Sequence, residues 1–178
     1  MNQISLMPKE QHDRLLQRQQ ANVEQLWIIL DAVTDPEIPA LSLWDLGVLR
    51  DVCREGETIR VTITPTYSGC PAMDAMRTDI AAALAEAGFA QIKIDTQLAP
   101  AWTTDWMSSK GREKLRNYGI APPEESDSDD YSTPEADITC PHCGSQNSRR
   151  ISEFGSTACK ALFQCNECSE PFDYFKRI

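Results

Sequence analysis

The stretch "TIRVTITPTYSGCPAMDAM" occupies residues 58–76, and a change of period runs through it. Ile59, Val61 and Ile63 alternate with polar residues, as in a strand with one buried face. After Pro71 the apolar positions move to helical spacing. Met73, Met76, Ile80, Leu84 and Ala87 form one stripe, and Gly88 would end it. The segment therefore predicts a strand, a tight turn and a helix over residues 71–87.

Working outward, "GVLRDVC" reads as an earlier strand, separated from the first by "REGE" with its glycine turn signal. Leu16, Val23, Leu26, Trp27, Leu30 and Val33 recur mostly at threes and fours and predict an amphipathic helix over residues 11–33. "DPEIP" breaks it, because Pro36 and Pro39 cannot continue a helix interior. Downstream, Ile92, Ile94, Thr96 and Leu98 alternate as a third strand, and "SKGREKLRNYG" fits a last short helix closing at Gly119. The order α-β-β-α-β-α predicts a compact α+β domain over residues 1–121.

Composition narrows the function classes. The chain has 178 residues, 41% hydrophobic and 25% charged, as in a soluble globular protein. It has no run of about twenty apolar residues, and "MNQISLMPKE" lacks the apolar core of a secretory signal. A reducing cytoplasm is the expected location, where seven cysteines read as metal ligands or reactive thiols rather than disulfides. The net charge of −10 divides as −4 over residues 1–121, −7 over 122–137 and +1 over 138–178. No segment offers the basic surface on which nucleic-acid affinity is mostly built. Residues 122–137, "PPEESDSDDYSTPEAD", carry seven acids and no periodicity. They read as a flexible acidic linker, with docking to a partner as the alternative.

After the linker, "CPHC" (Cys140, Cys143) and "CNEC" (Cys165, Cys168) form a C-x2-C-x21-C-x2-C pattern. Two residues between cysteines let both thiolates of a knuckle meet one ion, and two knuckles close a tetrahedron. About 40 residues cannot bury enough apolar surface to be stable unaided, whereas metal binding supplies folding energy. Strand-like pieces at "RRISEF", "KALFQC" and "FDYFK" complete a zinc ribbon, mostly β, over residues 138–178. One structural zinc per chain is the expectation, with iron on the same sulfurs as the alternative. Four thiolates around a divalent ion turn the module's +1 into about −1, which further disfavours nucleic acid. His142 lies inside a knuckle and is a poor ligand; Cys159 reads as buried filler or as an alternative ligand.

Three further features carry chemistry. Pro71 suits the first helical position, which would make Cys70 the N-cap, where free N–H groups favour a thiolate. Gly69 beside it would admit another backbone or a cluster. Cys53, next to Val52, reads as core. Asp35 and Glu37 of "DPE" invite a carboxylate-pair reading, against which Asp35 before a proline is an ordinary turn signal. Trp102 and Trp106 in "PAWTTDWM" are either core or a partner-binding face. No P-loop, dinucleotide fingerprint or G-x-S-x-G is present, and the two histidines (His12, His142) build no catalytic site.

"DPEIPALSLWDLGVLRDV" joined to "TPTYSGCPAM" resembles the small iron–sulfur cluster assembly domain family of the MIP-eighteen type. With "LAPAWTTDWM", "REKLRNYGIAPP" and "EFGSTACKALFQCNECSEPFDYFK", the chain resembles the D-subunit family of bacterial phenylacetyl-CoA epoxidase systems, multicomponent oxygenases of phenylacetate degradation. The resemblance implies an accessory role in building iron–sulfur or di-iron centres, or a stoichiometric, non-catalytic place in the oxygenase. It implies the di-iron oxygenase and the iron–sulfur reductase as partners, and a homodimer through the α+β domain. It puts the family's cysteine on Cys70 as a transient ligand for iron or a cluster, with Asp35 and Glu37 beside it.

Overall fold

The computed structural model describes residues 15–16, 18–20, 22–123, 134 and 136–178. Their contacts divide the chain into two compact units, Met1–Ser108 and Ser109–Ile178. No helix among the described residues is long and apolar enough to cross a membrane.

In the first unit, strands β1 (Leu49–Glu55) and β2 (Thr58–Ile63) form an antiparallel hairpin, and β3 (Gln91–Thr96) pairs with β2 in parallel. A parallel neighbour requires a crossover, which helix α3 (Met73–Glu86) supplies. Its stripe Met76, Ile80 and Leu84 is buried, as are Ile59, Val61 and Ile63 of β2. Helix α1 (Glu24–Leu30) packs against α3 and buries Leu26, Trp27 and Leu30. Burying an aliphatic or aromatic side chain of this size contributes about 1.5–3 kcal/mol, so each of these buried residues adds to the unit's stability. The outward face of the sheet is polar. Arg60 bridges Asp95 at 2.7 Å and Glu55 at 2.8 Å.

Two expectations for this unit need correction. The single helix over residues 11–33 is interrupted. Residues 15, 16 and 18 are helical, a turn follows, α1 starts at Glu24, and the chain leaves helix after Leu30. Between Leu16 and Val23 the sequence has no large apolar side chain to hold a continuous stripe, and Leu16 is exposed. Residues 11–14, 17 and 21 lie outside the described residues. An unexpected short helix, α2 (Leu43–Leu46), follows the proline-rich loop; Ser42 Oγ accepts from the Asp45 N–H, and Gly47 ends it.

In the second unit, α4 (Ser109–Asn117) leads into a two-residue strand, β4 (Ile120–Ala121), which pairs in parallel with β7 (Pro171–Phe175). The sheet order is β4-β7-β6-β5, with β5 at Ser148–Ser152 and β6 at Lys160–Cys165. These last three strands coincide with the pieces expected of the ribbon. The helix and β4, which the sequence assigns to the first domain, group with the ribbon's unit instead, because β4 extends its sheet. Phe163 is the hub: it stacks on Phe172 at 5.9 Å and meets Tyr174 edge-on at 5.6 Å. Ala121, Ile138, Ala161 and Cys165 complete this core. Most of the acidic linker, residues 124–133 and 135, lies outside the described residues.

Candidate functional site

Cys140, Cys143, Cys165 and Cys168 come together at one end of the ribbon, their sulfurs all within 4.8 Å of one another. Cys140 and Cys168 are 3.8 Å apart, and Cys143 and Cys165 3.5 Å. A tetrahedral ion with metal–sulfur bonds of about 2.3 Å has sulfur–sulfur edges of about 3.8 Å, so the donor set fits such an ion. The two knuckles use the same backbone device. Gly144 follows Cys143 with φ 78°, and Ser169 follows Cys168 with φ 65°. The Gly144 N–H donates to the Cys140 carbonyl at 2.9 Å, closing the first turn. Asn147 joins the knuckles: its carbonyl accepts from the Asn166 N–H and its side-chain oxygen from Asn166 Nδ2, each at 2.8 Å. Sequence reasoning missed this pair; the signal was Asn166 directly after Cys165.

The thiols are electrostatically unequal. Backbone N–H groups of Cys168 and Glu167 lower Cys165 to about 7, against the effect of burial. The Glu170 backbone pulls Cys168 down, but burial and the surrounding thiols override it and push Cys168 up to about 12. Four adjacent sulfurs resist joint ionisation, and a divalent cation is the partner that removes the conflict. His142 is exposed and Cys159 is buried, and neither joins the cluster. The Cys159 sulfur lies 3.0 Å from Thr157 Oγ1.

In the first unit, Cys70 is half-buried on the turn between β2 and α3. It is not the N-cap. That position belongs to Ala72, which makes no side-chain cap bond, and α3 begins at Met73. The intervening residues make a tighter turn: the Cys70 N–H donates to the Tyr67 carbonyl at 3.2 Å, and the Cys70 carbonyl accepts from the Met73 N–H at 3.4 Å. Among the described residues, a Cβ on Gly69 would meet only the Tyr67 ring, at ordinary van der Waals distance, and no other backbone.

Asp35 is buried, and its Oδ1 accepts from the N–H groups of Glu37 and Ile38, both at 2.8 Å. This is the turn-capping role of an aspartate before proline. Glu37 is exposed. Among the described residues, the four ribbon cysteines are the only group of three or more Cys, His, Asp or Glu whose ligand atoms converge. Cys70, Asp35 and Glu37 therefore close no common site within one chain. Cys53 is half-buried rather than core, on the polar face of β1 opposite Arg60. Burial first, then the Asp51 and Glu55 carboxylates, push its thiol up.

Trp102 and Trp106 are buried, which corrects the partner-surface reading and supports the core alternative. They clasp α2. Trp102 Nε1 donates to the Leu46 carbonyl at 3.2 Å, and Ser108 Oγ donates to Asp45 Oδ1 at 2.7 Å. Gly47, at φ 83°, lies so close to Trp106 that an added Cβ would stand 2.7 Å from its carbonyl oxygen. Arg50 stacks on the Trp106 ring at 3.2 Å.

Two family descriptions match separate parts of the chain. A family described as "Iron-sulfur cluster assembly protein" matches residues 24–92, and one described as "PaaD zinc beta ribbon domain" matches residues 124–176. A crystal structure of a domain of unknown function (DUF59) from Bacillus anthracis superposes with a TM-score of 0.50 at 28% identity, covering 53% of this chain and 92% of that one. A conserved hypothetical protein of Thermotoga maritima gives a TM-score of 0.45 at 26% identity, over 52% of this chain and 91% of that one. An Escherichia coli protein named as the D subunit of 1,2-phenylacetyl-CoA epoxidase is 49% identical over 156 residues, 88% of this chain and 93% of the relative. With an assembly-type domain, a four-cysteine ribbon and that identity along nearly the whole relative, this chain belongs to the D-subunit family of phenylacetyl-CoA epoxidases.

Proposed function

We propose that this protein acts in the cytoplasm as an accessory factor that builds or maintains metal centres of a phenylacetyl-CoA epoxidase system, without performing the epoxidation. The observation that carries this reading is the match of an iron–sulfur cluster assembly family to residues 24–92, the segment holding both Cys70 and "DPE". Cys70 suits transient holding: it is one half-exposed thiol on a turn, where an incoming iron ion or cluster can reach it. Doubled across a homodimer, such a thiol gives two ligands that release more readily than four enclosing ones. Asp35 Oδ1 is engaged by backbone N–H groups, so the exposed Glu37 is the carboxylate of the pair better able to meet cargo.

The ribbon has a different role. Cys140, Cys143, Cys165 and Cys168 would hold zinc, whose contribution there is folding energy; iron on the same sulfurs is the alternative. Oxygen insertion needs a centre with open positions, and a closed set of four thiolates offers none. The other components of the system, a di-iron oxygenase and an iron–sulfur reductase, are the proposed clients, with neither nucleic acid nor membrane as a partner.

A second reading, a stoichiometric structural component of the oxygenase, is supported by the name of the Escherichia coli relative, which makes it a subunit. One experiment separates the two. Oxygenase and reductase are purified from cells lacking this protein, or carrying Cys70→Ala, and assayed for iron and activity. The maturation reading expects partners depleted in iron in both cases. Fully metallated, active partners overturn it. Activity restored only when this protein is added stoichiometrically to already loaded partners establishes the structural reading.

A further inference from the structure

The sheet of the first unit has two edges, β1 and β3, and they differ in kind. On β1 a register shift between Leu49 and Asp51 breaks the ladder, and Arg50, Asp51, Arg54 and Glu55 charge the strand. Bulges and charges of this kind keep an edge from pairing. Strand β3 is regular, each residue from Gln91 to Thr96 having its partner on β2 without a shift. Among the described residues, no strand or isolated bridge pairs with its outer side. Just past the strand, the Gln97 N–H donates to the Ile63 carbonyl at 2.9 Å. Backbone groups alternate in direction along a strand, so Lys93 and Asp95 also turn theirs to β2, while Ile92, Ile94 and Thr96 turn theirs outward. Side chains alternate as well. Arg77 of α3 donates to Thr96 Oγ1, which puts Ile92, Ile94 and Thr96 on the helix-covered face. Lys93 and Asp95 lie on the polar face with Arg60. Ile92 and Ile94 are only half-buried, whereas Ile59, Val61 and Ile63 on the strand beside them are buried completely.

We infer that β3 pairs antiparallel with β3 of a second copy of this chain, about a two-fold axis at Ile94. A two-fold interface must be complementary to itself, and the charges on β3 show which register is. Registers that pair even with odd positions would set the apolar face of one copy against the polar face of the other. Of the remaining registers, two overlap the strand most fully, centred on Lys93 or on Ile94. Centring on Lys93 puts two lysines directly opposite each other, which is destabilising. Centring on Ile94 puts each Lys93 opposite Asp95 of the other copy, twice over. Ile94 then meets Ile94, and Ile92 meets Thr96, in pairs that exchange backbone hydrogen bonds. A lysine on an edge ordinarily repels a second strand, but here the acid two residues on answers it. Asp95 already meets Arg60 at 2.7 Å through Oδ2 and Lys93 at 3.6 Å through Oδ1. The pairing needs neither side chain to be free; it only sets opposite signs side by side. The inference does not rest on the role proposed for Cys70. Since the Cys70 turn follows β2, which runs parallel to β3, antiparallel pairing keeps the two thiols apart, at opposite ends of the joined sheet.

The test is sedimentation of the metal-loaded full chain over a concentration series, which should convert the 19.9 kDa monomer to a dimer. Lys93→Asp and Asp95→Lys should each weaken the dimer by about tenfold, because each gives the facing residues the same sign. An equimolar mixture of the two variants should associate as tightly as the unmodified chain, since an acidic strand then faces a basic one. That recovery, with circular dichroism of each variant alone, separates a lost interface from a lost fold. Amide hydrogen exchange reads the contact itself. The N–H groups of Ile92, Ile94 and Thr96 should exchange more slowly as concentration rises, while those of Lys93 and Asp95, bonded to β2, stay slow throughout. A chain still monomeric at about 1 mM overturns the inference. So does a dimer in which the Ile92, Ile94 and Thr96 amides exchange freely, or one indifferent to both variants. Variants that fail to recover on mixing overturn it too, as does protection of those amides only when the oxygenase or reductase is added.

Discussion

In the ribbon, each pair of thiols sits on a turn that the chain builds twice, with a left-handed residue after Cys143 and again after Cys168. Asn147 and Asn166 then lock the two turns together, so four sulfurs face one point. In the first unit, Cys70 also sits on a turn, but that turn is built once, Cys70 joins no cluster of three or more ligand groups among the described residues, and the capping position of the next helix falls to Ala72. The same residue type is thus placed under two regimes. Repetition and cross-linking of turns bring four sulfurs together, whereas the turn at Cys70 presents one half-exposed thiol ahead of a helix.

The largest effect should come from breaking the closed site. Cys140→Ser or Cys168→Ser should release one metal per chain and melt the β4-β7-β6-β5 sheet, leaving the β1-β2-β3 unit folded. The ribbon's core is small, and structural zinc in such modules is worth about 10–16 kcal/mol of coupled folding energy. Metal analysis with amide dispersion in NMR spectra reads both effects. A ribbon that keeps its sheet after strong chelation removes the structural assignment of the metal.

A second, smaller effect tests what holds the open site's unit together. Gly47→Ala must place a Cβ at φ 83° and 2.7 Å from the Trp106 carbonyl oxygen, a backbone atom that cannot swing away. The left-handed conformation costs about 1–2 kcal/mol and the clash about 1–3 more, so a loss of about 2–5 kcal/mol is expected. Gly56→Ala is the control: its φ is 64° with nothing within 4 Å, so only the conformational cost applies. Denaturant unfolding of the two variants should separate them; equal losses would show that the α2–Trp106 clasp does not matter.

That clasp marks where the sequence stops being legible. Period and spacing disclose β1, β2, α3, β3 and the ribbon strands, because each has an apolar face longer than one turn or one pleat. The four metal ligands are legible for a related reason: a knuckle is local, and its spacing is its geometry. Trp102 and Trp106 could not be placed from their own segment, since what buries them is α2, more than fifty residues upstream. Strand β4 is two residues long and has no period to read. Cys53 was misplaced for a different reason. Strand alternation puts it on the face opposite the buried Val52, and its neighbours on that face, Asp51 and Glu55, are charged.

The smallest effect compares the two thiols of the first unit directly. With metal bound in the ribbon and Cys159 buried, Cys70 and Cys53 are the thiols left to react. Alkylation proceeds through the thiolate. For Cys53, burial leads, and the Asp51 and Glu55 carboxylates add to it, in holding the thiol above its ordinary 9.0, while Arg60 opposes them. The folded state therefore keeps this proton to higher pH than the unfolded chain does. The associated stability is fully present below 9.0 and fades as pH rises through the raised value. At about pH 7.5 few Cys53 thiolates exist, so iodoacetamide should label Cys70 faster by about tenfold. The ratio should narrow as alkali ionises Cys53. Mass spectrometry of the timed reactions reads both sites at once. Equal, slow labelling at neutral pH would make Cys70 a packing residue like any other, and the contrast between a closed and an open cysteine site would fail at its open end.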